Sequence, residues 1–224
     1  MIGTRKLGSL ISLEGMDGCG KSTAVAYLKA AFEKHSLPVI TTFEVGGTPI
    51  GKELRNLAFV KRADEQLDPL ARLLLVYAAR IQHIRQVIQP AVLAGTHVIT
   101  DRYNDTTRIY QGKIDRLASD MDKIESVTPM RMLATRANYV IYFKVDTEVA
   151  YSRGKARTNV NNDTYKNDIA KADQINKYYD EYFSKINENN PGSVFIVDAN
   201  GDLESVHKQL DDFVEMFLPI CELW

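Results

Sequence analysis

Leu10-Ile11-Ser12-Leu13-Glu14-Gly15-Met16-Asp17-Gly18-Cys19-Gly20-Lys21-Ser22-Thr23 is the stretch from which the rest of the chain can be read. Leu10 to Leu13 form a short, largely apolar run of the kind that fills a strand covered on both faces. From Gly15 the sequence fits G-x-x-x-x-G-K-S/T, a phosphate-binding loop between a strand and a helix. Glycines let successive backbone N–H groups turn inward around phosphate oxygens, and the helix that starts near Lys21 points its positive dipole end at the same anion. Lys21 reaches the β- and γ-phosphates, and Ser22 offers its hydroxyl to Mg²⁺. Gly15, Asp17, Gly18, Cys19, Gly20, Lys21, Ser22 and Thr23 are therefore the candidate nucleotide-binding residues. Cys19 reads as a small residue lending its backbone to phosphate, with a redox-sensitive thiol as the sharper alternative.

Working outward, four more short β-rich runs follow: Val39 to Phe43, His97 to Thr100, Tyr139 to Phe143 and Val194 to Val197. Helical patterns separate them. Ser22 to His35 places Val25, Leu28 and Phe32 on one stripe. Leu70 to Leu93 predicts one long apolar helix kinked at Pro90. Thr147 reads as the N-cap of a helix over 148–157. Asn167 to Ile186 and Leu203 to Phe217 complete the set. Strand and helix in alternation predict right-handed crossovers and a three-layer α/β/α domain around a parallel sheet. No linker or repeat divides residues 1–224, so one domain is expected, with turns at 159–163 and 187–192.

Two further clusters carry chemistry. The third strand runs into Asp101-Arg102-Tyr103, at the end of a sheet where ligands gather. Asp101 is placed to organise Mg²⁺ opposite Ser22, and the planar fork of Arg102 suits a phosphate. Arg153-Gly154-Lys155-Ala156-Arg157 puts three cations in five residues, just before an Asn-rich turn. A charge run on a helix is usually a solvated face, but here it suits a lid, over about 154–168, that closes on phosphates and excludes water. Lys21, Asp101, Arg102 and Arg157 are the candidate catalytic residues.

Composition sets outer limits. The 224 residues are 45% hydrophobic and 25% charged, with 28 basic residues against 29 acidic ones. That balance argues against a surface that coats nucleic acid, which needs a basic surplus. It leaves a small anionic ligand open. Two cysteines are too few for a disulfide scaffold, and the four histidines show no metal-ligand spacing. The N-terminal stretch does not read as a signal peptide, and no run is long and apolar enough for a membrane span. A cytoplasmic protein is expected.

In this order and spacing the motifs resemble the thymidylate kinases, P-loop nucleoside monophosphate kinases that pass the γ-phosphate of ATP to dTMP. Leu13-Glu14-Gly15-Met16-Asp17 is similar to the family's F-E-G phrase, and Gly46-Gly47-Thr48 to its G-G-T. Ala78-Ala79-Arg80-Ile81-Gln82-His83, Asp101-Arg102-Tyr103 with Tyr110-Gln111-Gly112, and Val197-Asp198-Ala199-Asn200 continue the likeness. The resemblance implies strand order 2-3-1-4-5, ATP with Mg²⁺, dTMP as acceptor and a homodimer. It implies that Asp17 accepts the deoxyribose 3′-hydroxyl, Arg102 holds the dTMP phosphate and Arg80 bonds the thymine edge. It puts Tyr110 where a 2′-hydroxyl would sit, Thr106, Thr107 and Gln111 near the base, and Arg153 against adenine.

Three departures stand out. Bacterial members read T-R-E-P-G-G-T, where this chain reads Thr42-Phe43-Glu44-Val45-Gly46-Gly47-Thr48. A phosphate-contacting arginine is thus replaced by Phe43, and the grip rests on Arg102 or on another cation. Val76 stands where the family stacks a phenylalanine on thymine, an interaction worth about 1–3 kcal/mol per base. The lid phrase D-R-x-E is absent, with Lys166 in its region. Val76 keeps a broader deoxynucleoside monophosphate kinase as an alternative. Glu44, as a possible base, keeps a deoxynucleoside kinase, and the missing arginine keeps a non-catalytic nucleotide-binding regulator.

Overall fold

The computed structural model describes residues 6–127, 136–157 and 169–223. β1 (Leu10–Glu14), β2 (Val39–Phe43), β3 (His97–Asp101), β4 (Tyr139–Lys144) and β5 (Val194–Asp198) form an all-parallel sheet in the order β2-β3-β1-β4-β5. The expected order is therefore observed. Every residue of the central β1 is buried, whereas the edge strand β2 is only half covered. Register fixes where the strands end. Leu13 pairs with Asp101 on one side and Ile141 on the other, and Phe43 pairs with the same Asp101. The phosphate loop, Asp101 and the turn after β2 consequently leave the sheet at one level.

Alternation along β4 assigns a layer to each face. Tyr139 meets Phe213 and Phe217 of α9 (Leu203–Leu223), and Phe217 also packs on Phe32 of α1 (Lys21–Lys34). Tyr142, three residues on, stacks on Tyr179 and Phe183 of α8 (Ile169–Asn189) across the sheet. Burying each such ring contributes about 1.5–3 kcal/mol. α7 (Thr147–Arg157) lies beside α8.

Three local expectations need correction. The long helix is not a single α-helix kinked at Pro90. α3 (Pro69–His83) widens into a π-helical turn at Ile84–Ile88 and resumes as α4 (Gln89–Leu93), with Pro90 in its first turn. Proline has no N–H to donate to the turn before it, and the wider turn absorbs that break. Thr147 is not a cap. Its hydroxyl donates to Asp173 and accepts from Asn176, both on α8, while the Asp146 carbonyl takes the first helical bond from Ala150. Three helices were not anticipated: α2 (Pro49–Ala58), α6 (Ala118–Ser126) and, ahead of α6, the short α5 (Asn104–Thr107), which continues as a π-helical stretch over Arg108–Ile114. α2 carried a readable signal in Thr48-Pro49, since Thr48 Oγ1 accepts from the Gly51 N–H at 2.9 Å and Pro49 opens the first turn.

Candidate active site

β1 delivers the chain into the phosphate loop, where Gly15, Gly18 and Gly20 all take positive φ. Gly18 is also sterically obligatory. A Cβ there would stand 2.1 Å from the Ala150 carbonyl oxygen, so the loop touches α7 directly. Lys21 folds inward, its Nζ donating to the Gly15 and Met16 carbonyls at 3.0 and 2.8 Å, with Cys19 Sγ at 3.5 Å. These carbonyls satisfy a cation that is nearly buried. Thr23 donates its N–H back to Gly20, closing the first helical turn.

Ser22 Oγ donates to Asp101 Oδ2 at 2.8 Å, joining the start of α1 to the end of β3. A hydroxyl and a carboxylate side by side are hard oxygen donors. They fit Mg²⁺, which keeps most of its waters and takes one or two protein ligands. No larger cluster of metal-ligating side chains occurs among the described residues.

Arg102 follows with φ 69°, a conformation that costs a non-glycine residue about 1–3 kcal/mol. Its N–H is tied to the Leu13 carbonyl, and its own carbonyl accepts from Thr100 Oγ1. The guanidinium is aimed by Nη2 to Asp17 at 2.7 Å and by Nη1 to Thr106 at 3.0 Å and Tyr179 at 2.7 Å. Tyr110 lies beneath it, 5.8 Å from ring centre to Cζ. Burial works against its charge, but its partners, Tyr179 and Asp17 foremost, hold its pKa well above the ordinary value. Arg102, Asp17, Thr106 and Tyr110 are thus brought together.

Arg80 is engaged differently from a group waiting for a base. It is 1% exposed, and Nε donates to Glu44 at 2.6 Å, Nη1 to Asn104 at 2.9 Å, and Nη2 to Thr107 at 2.7 Å and the Tyr103 carbonyl at 3.3 Å. Glu44 also meets His83 Nδ1 at 3.0 Å, and His83 Nε2 lies 2.8 Å from Thr42 Oγ1. Burial pushes the Glu44 carboxyl up, yet Arg80 and His83 together pull it below its ordinary value. Glu44 is therefore spent on a buried ion pair, which removes the feature that suggested a deoxynucleoside kinase. Gly47 must lack a side chain, because a Cβ there would stand 2.2 Å from His83 Nε2. The G-G-T turn is pressed against this cluster. Gln111 is buried nearby, and Val76 is buried in an apolar group with Val45, Ala58 and Ala79.

Glu14, wholly buried at the end of β1, accepts from the Tyr103 N–H at 2.7 Å and from Thr106 Oγ1 at 2.6 Å. Burial and the neighbouring charge of Asp105 raise its pKa to about 7. Asp105 is itself held by Arg136 and Tyr182. Arg153 grips the turn after β5, donating to the carbonyls of Ala199, Asn200 and Gly201. The side chains of Lys155 and Arg157, and the part of the expected lid over 158–168 with Lys166, lie outside the described residues.

A cavity of about 320 Å³ is lined by Asp17, Lys21, Phe43, Arg55, Asp101 and Arg102 among others; Arg80, Tyr110 and Arg153 do not line it. Arg55 was not foreseen. It comes from α2, the helix that sequence reasoning did not resolve, with Nη1 on the Val45 carbonyl and its Cζ 5.6 Å from the Phe59 ring centre. Tyr179 was foreseen only as packing. Its ring does pack, but its hydroxyl reaches Arg102.

Among the described residues no helix is long and apolar enough to cross a membrane. The sequence model of the family Thymidylate kinase matches residues 13–210. A thymidylate kinase of Marinomonas sp. (strain MWYL1) is 33% identical, the alignment covering 97% of each chain. One of Legionella pneumophila (strain Corby) is 34% identical over 94% of this chain and 96% of its own. A third, of Teredinibacter turnerae (strain ATCC 39867 / T7901), is 35% identical over 68% of this chain and 73% of its own. With this phosphate loop, this strand order and a match of that extent, the chain belongs to the thymidylate kinase family.

Proposed function

We propose that the cleft transfers the γ-phosphate of ATP to dTMP, giving ADP and dTDP. The observation that carries this reading is the convergence of Lys21, Arg55 and Arg102 with Ser22 and Asp101 on one cavity, in a chain of this family. The nucleophile is an oxygen of the dTMP phosphate, already anionic, so the site needs no strong general base. Its tasks are to align donor and acceptor and to offset the repulsion between them. Lys21 leaves its loop carbonyls to meet the ATP phosphates. Arg102 holds the acceptor phosphate, helped by Arg55, which takes over the work of the arginine replaced at Phe43. Asp17, held by Arg102, faces the deoxyribose, with Tyr110 beside the sugar. Thr106, Thr107, Gln111 and Val76 shape the base pocket, with Arg80 anchoring its wall. Arg153, fixed to the turn at 199–201, borders the adenine. Ser22 and Asp101 would hold Mg²⁺, which would screen the phosphate charge. The lid over about 154–168, Arg157 included, closes the site on a single domain of residues 1–224. Two such domains pair through α2 and α3, whose Ile50, Leu57, Leu70 and Leu74 are exposed.

Coupled ADP-release assays across deoxynucleoside monophosphates and nucleosides test the reading. Turnover is expected with dTMP and is expected to vanish in Lys21→Ala, with circular dichroism unchanged. Turnover with thymidine but not dTMP would overturn it. Tight nucleotide binding without turnover would instead favour the regulator.

A further inference from the structure

The hydrogen bonds around Arg102 run in one forced direction. A guanidinium only donates, so Tyr179 Oη accepts from Nη1 at 2.7 Å. The hydroxyl of Tyr179 then has one proton to give, and Thr106 Oγ1 lies 3.0 Å away. Thr106 gives its own proton to Glu14 Oε2 at 2.6 Å, so its oxygen can only accept from Tyr179 and from Arg102 Nη1 at 3.0 Å. Every hydrogen and acceptor site of Thr106 is thereby used. The sequence of donation is Arg102 to Tyr179 to Thr106 to Glu14, with no alternative arrangement of protons while Glu14 is ionised.

Glu14 and Tyr179 are both held in place. Glu14 belongs to the buried end of β1 and is also held by the Tyr103 N–H. Tyr179 is 0% exposed, its ring held by Tyr142, Phe183 and Tyr110. Both Nη1 hydrogens of Arg102 are consumed, and one on Nη2 goes to Asp17. Nε–H and the second Nη2–H have no partner among the described residues, and the side chain borders the cavity. The guanidinium is therefore oriented through Nη1 and one hydrogen of Nη2 and presents its remaining donors to a ligand.

We propose that Tyr179 is a positioning residue for the acceptor phosphate. Its hydroxyl, delivered by α8, locks the guanidinium of Arg102 in the plane that receives the dTMP phosphate. This rests on the assignment of Arg102 to that phosphate. The prediction follows from what the hydroxyl removes. Without it, one Nη1 hydrogen is unmatched, Thr106 loses a donor, and the fork can rotate. A hydrogen bond to a charged group that fixes geometry is worth about tenfold in binding.

Tyr179→Phe keeps the ring and removes only the oxygen. Tyr142→Phe is the control, because its hydroxyl donates to Asp180 in the same aromatic group and does not touch Arg102. Arg102→Met tests the underlying assignment. In steady-state assays, Tyr179→Phe should raise KM for dTMP about tenfold while KM for ATP stays within about twofold. Its melting temperature should fall no further than that of Tyr142→Phe, whose kinetics should match the parent. An unchanged KM for dTMP in Tyr179→Phe, or equal rises for both substrates, overturns the proposal if Arg102→Met raises KM for dTMP strongly. An Arg102→Met variant with unaltered dTMP affinity overturns the assignment of Arg102 itself, and the proposal with it. Because phenylalanine preserves the packing, both arms are read on folded protein; should Tyr179→Phe lose its fold, the hydroxyl is structural and the proposal is overturned.

Discussion

Glu14 has its carboxyl in a place water does not reach, with a second acid, Asp105, close by. Its pKa lies near 7 in the folded chain against 4.5 when free, raised by burial first and by Asp105 next. A raised carboxyl pKa means that the folded state binds more protons than the unfolded state between those two values. Stability therefore falls as pH climbs from about 4.5 to 7, and levels off above. Glu14→Gln cannot titrate, so its stability should vary less steeply over that window, by at most about 1.4 kcal/mol per pH unit, one proton's worth. Urea unfolding at several pH values from 5 to 8 measures this. Parallel curves for the two proteins would show that Glu14 does not carry the linkage.

At the scale of elements, the contact between the phosphate loop and α7 is decided by the missing side chain of Gly18. A Cβ there meets Ala150 O at 2.1 Å and Gly154 N at 3.2 Å, at a φ of 87°. Gly18→Ala should therefore push α7 away from the loop and cost about 1–3 kcal/mol in backbone strain alone. Melting curves with and without ATP should show a lower melting temperature and a smaller ATP-induced rise. A variant that melts like the parent and gains as much from ATP would mean that the loop and helix are not coupled. The strands were legible in the sequence because each is a short, near-continuously apolar run, and the phosphate loop because its glycines and lysine keep fixed spacing. The helices between β2 and β4 were less so. α2 and α6 are short, and the wide turns at 84–88 and 108–114 follow neither helical nor strand periodicity. The roles of Glu44, Arg55 and Tyr179 were hidden for the same reason. They depend on elements distant in sequence meeting at the carboxyl end of the sheet, which no local pattern records.

For the whole molecule, 28 basic residues against 29 acidic ones leave almost no net charge to attract a nucleotide from a distance. The attraction is concentrated at Lys21, Arg55 and Arg102 around the cavity. The remaining large feature of the surface is apolar. Ile50 and Leu57, seven residues apart on α2, and Leu70 and Leu74, four apart on α3, leave hydrophobic stripes exposed on two packed helices. If this face pairs two chains, Leu57→Glu with Leu74→Glu should convert a dimer to a monomer in sedimentation velocity. A parent that sediments as a monomer, or a double variant that still sediments as a dimer, would dismiss pairing through this face.

The cluster of Arg80, Glu44 and His83 sets the rules by which this site can change over time. Phe43 is 39% exposed, so it can be replaced one step at a time with only a local effect. Arg80, Glu44 and His83 are sealed together. Loss of Arg80 or Glu44 strands a buried charge at a cost of about 3–5 kcal/mol, a large part of the 5–15 kcal/mol that holds a typical domain folded. A single substitution at Arg80 or Glu44 therefore carries a cost that one at Phe43 does not. Arg80 and Glu44 can be exchanged at low cost only as a pair, whereas Phe43 can change by itself.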